Sequence, residues 1–300
     1  MGDTFALFLP TILRKVLHMC VSLAPAHFSK TTILAHQTRH PETGEAIVVL
    51  GYQNTAKSLT PGPNAMLIHV PAYADIGPEN MLDTSMTPNL LKDVGRAVKV
   101  TTRGVSDSMR LLGAKSAVQV FEHGIYTVVS SNDIRAAHEA LAQVDEKRRP
   151  AISSEVVEFY ATKFPYHRFL FFCFNNTDAV KATPTLFWYK PSDPSILVAP
   201  GIDSHDGGAP NLDAHVDVDH TVVFGHSALP NGARVSYSDV IPGSLRPYLP
   251  THVKGRDMQG MYRNGDFAVL TSQLLGPAPI SVYRLTPAHF PPSLPHFSQP

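Results

Sequence analysis

Three short blocks recur in the same order in the two halves of this 300-residue chain, and such a recurrence constrains the fold more than any local signal. "GYQNTAKSLTPGPNAMLIHVP" (51–71) matches "CFNNTDAVKATPTLFWYKP" (173–191): an aromatic residue, an amide, Asn-Thr, a polar linker, an apolar run and a closing proline. "LDTSMTPNL" (82–90) matches "IDSHDGGAPNL" (202–212), and "GIYTVVSSN" (124–132) matches "GDFAVLTSQ" (265–273). The first two pairs are offset by 120 to 122 residues and the third by 141. An ancient tandem duplication accounts for this order, and it predicts two related lobes meeting across a pseudo-two-fold axis.

Local patterns fill in the class. "CVSLA", "TTILAHQTR", "AIVVLGYQ" and "NAMLIHVP" read as strands, rich in β-branched residues and punctuated by Gly and Pro. The run ending "GIYTVVSS" leads into a helix over 132–143, capped by Asn132 or Asp133 and carrying Ile134, Ala137 and Leu141 inward. A second helix spans 153–164, capped by Ser153 or Ser154, with Val156, Val157 and Tyr160 facing the core. Further strands are expected near 168–174, 184–189, 195–199, 214–224, 266–271 and 279–284. Strand runs separated by turns, without regular strand–helix alternation, predict an α+β fold with antiparallel-dominated sheets and a few flanking helices. The expected division is an N-terminal helical extension (1–18), a first lobe (19–149), a second lobe (150–285) with Pro150 at the boundary, and a disordered Pro-rich tail (286–300).

Composition narrows the function classes. The chain is 43% apolar and 17% charged, enough to bury a sizeable core. Lys plus Arg equals Asp plus Glu, 25 each, and the one basic block is Glu146-Lys147-Arg148-Arg149, so no nucleic-acid partner is expected. No run reaches the roughly 20 apolar residues that span a bilayer. At the N-terminus, Arg14 and Lys15 follow the apolar run instead of preceding it, which argues against a secretory signal and for a cytoplasmic protein. Two cysteines, Cys20 and Cys173, make no disulfide framework, and Cys173 within "FLFFCF" reads as a small buried hydrophobe.

The richest candidate site is "PNLDAHVDVDHTVVFGH" (210–226). As a strand it sends Leu212, Ala214, Val216, Val218, Val222 and Phe224 to one face, and Asp213, His215, Asp217 and Asp219 to the other. A half-buried strand needs such alternation for no functional reason. The functional alternative is a divalent metal such as zinc on His215, Asp217 and Asp219, completed by His205 or Asp206. His220 falls on the apolar face, where it is either a hydrogen-bonded core residue or a general base tuned by Asp219. His226 follows Gly225 at the strand end.

Two other groups of residues carry hypotheses. Cys20, after Met19, sits at the head of a strand, as the nucleophile of N-terminal-nucleophile hydrolases does, although processing or a later start would be needed to free its amino group. Asn54, Asp83, Asn176 and Asp203 recur at equivalent places of the repeat. They suit Asx-turns, or the walls of a cleft between the lobes. Asn175-Asn176-Thr177 fits a glycosylation sequon, while "GDTF" near the start and "NGDF" at 264–267 are too short to interpret. Phosphate-cradling, dinucleotide, nucleophile-elbow and Cys-x-x-Cys motifs are absent.

The block "FEHGIYTVVSSND" (121–133) followed by a helix, with "GYQ" and "MLIHVP" upstream, resembles an uncharacterised bacterial family that carries a Val-Gly-Pro-Tyr strand leading into a helix. The likeness covers about residues 45–145, with Ile125 where the family has proline, and it implies a fold grouping with no activity attached. Taken together, the expected function is a soluble, non-catalytic binding or assembly module, with no membrane span and an open question of self-association. The alternative is a metal-dependent hydrolase at the second-half His/Asp cluster, and the third reading is a Cys20 hydrolase.

Overall fold

The computed structural model describes residues 21–24, 27–57, 61–98, 118–204 and 207–285. The N-terminal extension, the Pro-rich tail, Cys20 and His205 therefore lie outside the described residues. Strand makes up 41% of the structure and helix 19%, with mostly antiparallel sheets, so the α+β class holds.

The elements, in chain order, are β1 (Val21–Ser22), β2 (His27–Arg39), β3 (Ala46–Lys57), β4 (Pro63–Val70), α1 (Leu90–Val98), β5 (Gln119–His123), β6 (Tyr126–Ser131), α2 (Ile134–Ala140), α3 (Ser154–Lys163), β7 (Arg168–Asn175), β8 (Thr185–Tyr189), β9 (Ile196–Ala199), β10 (His215–His226), β11 (Ala233–Arg234), β12 (His252–Arg263), β13 (Asp266–Leu270), α4 (Thr271–Leu274) and β14 (Tyr283–Leu285). They form a five-stranded sheet ordered β1-β4-β7-β6-β5, a six-stranded sheet ordered β11-β12-β10-β2-β3-β8, and a three-stranded sheet ordered β14-β13-β9. Among the described strands the one parallel pairing is β10 with β2.

Burial orders these sheets into layers. The main core lies between the two large sheets: Ile33, Val48, Leu50, Val222 and Phe224 from one meet Met66, Ile68, Leu170 and Phe172 from the other, with Leu197, Phe267 and Val269 of the small sheet joining them. The far face of the five-stranded sheet is covered by α2 and α3, through Ile134, Ala137, Val156, Val157 and Tyr160 against Phe169, Phe171 and Cys173. The far face of the six-stranded sheet is covered by α1 and the 235–249 segment, through Leu91, Val94, Val235 and Leu245 against Leu34, Val49 and Val223. With both faces buried, β3 and β7 need continuous apolar runs, which is why "AIVVLG" and "FLFFCF" show no alternation.

Local signals place α2 and α3 correctly. The Asp133 carboxylate accepts the Arg135 N–H, and the Ser153 hydroxyl accepts the Val156 N–H, so both N-caps are as expected. Helix α1 is an addition to the elements expected from sequence, where its internal Gly95 weakens a helical pattern. It is held from outside. Asp239 accepts the Asn89 backbone N–H and side-chain amide, and the buried Asp93 accepts both the N–H and hydroxyl of Ser238 at 2.6 and 2.8 Å. Gly95 lets the helix approach the sheet: a Cβ there would lie 3.3 Å from Thr32 Oγ1 and 3.4 Å from Thr221 Cγ2.

The sheets do not divide at residues 149/150. β4 pairs with β7, β3 with β8, and β2 with β10, so strands from before and after Pro150 share both large sheets. Two lobes, each with its own sheet, would need every ladder to stay within its half. Long-range backbone pairing decides otherwise here. The first and third pairs of blocks fall on two successive strands, β3 and β4 against β7 and β8, and on a strand followed by a helix, β6 and α2 against β13 and α4. The members of the last pair lie in different sheets with different neighbours.

Candidate functional site

Each expected site residue has a definite place or lies outside the described region. His215, Asp217 and Asp219 share the outward face of β10, as alternation requires, with His215 exposed. Asp219 accepts the Lys30 backbone N–H at 3.0 Å. Among the described residues, no group of three or more His, Cys, Asp or Glu side chains is arranged to hold a metal ion. His205 and Asp206, the closing ligands in the zinc expectation, lie outside the described residues.

His220 is buried on the opposite face from Asp219, with its ring against Phe267 at 5.3 Å between centroids. Consecutive strand residues point to opposite sides of the sheet, so the Asp219 and His220 side chains leave β10 on opposite faces. Asp83 forms the Asx-turn anticipated for it, accepting the Ser85 N–H at 2.9 Å. Asn176 is buried and accepts the Asn64 amide at 3.1 Å, while Asp203 is bonded through its backbone to the Asn264 side chain. Asn54 is half-buried near the end of β3. None of the four lines either cavity described next.

The larger cavity is a cleft of about 700 Å³ beside β5, the terminal strand of the five-stranded sheet. Its walls are Val120, Phe121 and Glu122 of β5, Thr127 of β6, the 143–148 segment, and Asn175, Thr177 and Asp178 after β7. The lining crosses from β5 through Thr127, the cross-strand partner of Glu122 on β6, to the residues that follow β7. Its floor is an ordered polar cluster. Arg148 donates to Glu122 at 2.8 Å and to Thr127 Oγ1 at 3.3 Å, and Thr127 donates to the other Glu122 oxygen at 2.6 Å. Asn175 ties the opposite wall down by donating to the Lys147 carbonyl at 2.9 Å. Thus Lys147 and Arg148 of the one basic block and Asn175 and Thr177 of the sequon share this cleft. Sequence reading noted both and had no reason to join them.

The second cavity is about 10 Å³, the size of one water, and is lined by Tyr52, His69, Tyr160 and Gly201 among others. It adjoins a buried polar cluster. His69 Nδ1 lies 2.9 Å from His167 Nδ1, and His69 Nε2 lies 3.5 Å from Asp266 Oδ2. Asp266, fully buried, also accepts the Gly201 N–H at 2.9 Å. Burial and then the nearby Asp266 charge push the Tyr160 hydroxyl well above its ordinary pKa, and burial holds His167 well below its own. Arg284 stacks over Phe267 at 4.1 Å; burial lowers its pKa to about 10, opposed by the charges of Asp266 and Asp203. The apparently trivial "NGDF" supplies much of this: Asn264 bridges Asp203 and Asn211, and Asp266 heads β13.

Other reactive groups are committed to the fold. Cys173 is fully buried and its thiol is pushed up to about 12, chiefly by burial, which makes it a poor nucleophile. Lys254 is fully buried, and its ammonium donates to the Leu274 and Gly276 carbonyls at 2.7 and 2.8 Å, closing the end of α4.

Fold and site define a layered α+β protein with an open polar cleft and a buried histidine–carboxylate cluster. No family model matches the chain, and no curated protein matches it. Among solved structures it is similar to a mutated baculovirus P35 after caspase cleavage, at 11% identity and a TM-score of 0.41, covering 85% of this chain and 99% of that one. No helix among the described residues is long and apolar enough to cross a membrane.

Proposed function

We propose that the protein is a non-catalytic binding module that takes an extended polypeptide segment of a partner along β5. The observation that carries this reading is the opening of a terminal strand directly into a 700 Å³ cleft. A strand paired on one side offers backbone donors and acceptors on the other, the basis of recognition by strand addition. The 77–80 turn lies beside Gln119 at the start of β5, so the docking edge is placed at Phe121–His123, which among the described residues pairs with β6 alone. Val120 and Phe121 give apolar contact, while Glu122, Lys147, Arg148 and Asp178 present both signs of charge. That lining suits a segment with alternating charged and apolar side chains.

The test is to pan the full-length protein against a displayed library of random linear peptides and measure recovered peptides by calorimetry. Arg148→Glu places like charge against Glu122, and Val120→Asp adds charge to the apolar wall; each is expected to weaken binding by about tenfold or more. Peptides that bind both variants as tightly as the wild type, or a library that yields no binder, would overturn the proposal.

A further inference from the structure

The His69–His167 contact makes a demand on protons that follows from geometry alone. Two imidazole nitrogens 2.9 Å apart need one hydrogen between them: one ring donates and the other accepts with a lone pair. The other side of the His69 ring faces the Asp266 carboxylate, with Nε2 3.5 Å from Oδ2, a placement whose charge favours a hydrogen on Nε2 over one on Nδ1. With both rings neutral, His69 Nδ1 is then the acceptor and His167 Nδ1 the donor. Adding one proton to the pair leaves a hydrogen between the rings and an imidazolium beside a carboxylate. Adding two places N–H against N–H and expels one ring.

The partners come from several elements. His69 sits on β4, faced by Tyr160 of α3, by Phe164 and His167 of the turn after α3, and by Asp266 of β13. Around Asp266 stand the Gly201 N–H, Tyr189 of β8 and Arg284 of β14. His69, His167 and Asp266 are all at most 2% exposed, so bulk solvent does not reach the second proton. We infer that this cluster is a proton-sensitive latch joining the five-stranded sheet to the three-stranded sheet: it holds at most one surplus proton, and the second opens it. The depressed basicity of His167 is in line with this. An unfolded chain protonates both rings as pH falls below about 6.5, whereas the latched fold accepts one at most. The latch therefore links one or two protons to opening, and the equilibrium between latched and open forms shifts by up to tenfold per pH unit for each proton linked, on the acid side.

The experiment uses the full-length protein labelled with ¹⁵N and follows the histidine rings by long-range ¹⁵N–¹H correlation. At pH 8 the expected pattern is a proton on His69 Nε2 and on His167 Nδ1. On acidification no folded species with both rings protonated is expected, and exchange of amides in β13 and at Gly201 accelerates before that of α2. A His69 proton on Nδ1 at pH 8, or two rings titrating near 6.5 in the intact fold, would refute the latch. His167→Asn keeps a donor near the Nδ1 position without a titrating ring, and it is expected to bind one proton fewer on acid unfolding. An unchanged proton count in that variant also refutes it, and if the variant does not fold, the ring assignments on the wild type decide.

Discussion

Acidification should destabilise the protein through His36, and the size of the effect can be worked from its surroundings. His36 lies on β2 opposite Gly225 of β10 and is 2% exposed. Burial lowers its pKa from 6.5 to about 3, offset in part by a backbone hydrogen bond with Gly225 and reinforced by nearby His226. The folded ring stays neutral where the unfolded ring takes up a proton. Its stability contribution is therefore complete above pH 6.5 and is lost as pH falls from 6.5 toward 3. Between about pH 7.5 and pH 5 the loss amounts to roughly 2 kcal/mol, at about 1.4 kcal/mol per pH unit. Urea unfolding of the wild type and His36→Gln across this range isolates the ring, because the other buried histidines remain in both proteins. The wild type should lose about 2 kcal/mol more than the variant over that interval. Parallel stability–pH curves would show that His36 is either protonated in the fold or hydrated, and would refute the reasoning.

Three further outcomes follow from packing and burial. Asp93→Ala strips the two bonds to Ser238 from a buried site and should cost about 2–3 kcal/mol in chemical denaturation, whereas Arg96→Ala, removing the exposed partner of the same carboxylate, should cost under about 0.5 kcal/mol. Gly225→Ala would place a Cβ 2.7 Å from His36 Nδ1 and 3.0 Å from Pro250 Cβ, and a loss of about 1–3 kcal/mol by thermal unfolding is expected. Peptide mapping after iodoacetamide treatment at about pH 8 should find Cys173 unmodified in the native protein and alkylated in denaturant; native labelling would contradict its burial and raised pKa.

The reach of the sequence differs between elements for identifiable reasons. Helices α2 and α3 are legible because their caps and apolar positions lie within a few residues of each other. Strand β10 is legible as alternation, and its inward His220 is read correctly as a core-facing residue. Strand β12 escapes because "HVKGRDMQGMYR" is polar over much of its length; pairing with β10 over eleven positions, not hydrophobic pattern, makes it a strand. Helix α1 escapes because its N-terminus is satisfied by Asp239, 150 positions away, and its glycine is favourable only against Thr32 and Thr221.

By itself, the sequence determined the α+β class, most strand positions, two helix starts and the inward face of β10, since these depend on interactions between near neighbours along the chain. Tertiary structure alone decided that strands from both halves share the large sheets, that Arg148 and Asn175 wall one cleft, and that His69 meets His167 and Asp266. His69 and His167 are 98 positions apart. Nothing in a local period specifies which distant strand will supply a backbone partner, so a polar residue in an apolar run shows no role until that partner is in place. "NGDF" illustrates the point: four residues without a readable motif become a buried bridge and a buried carboxylate once β13 packs among the sheets.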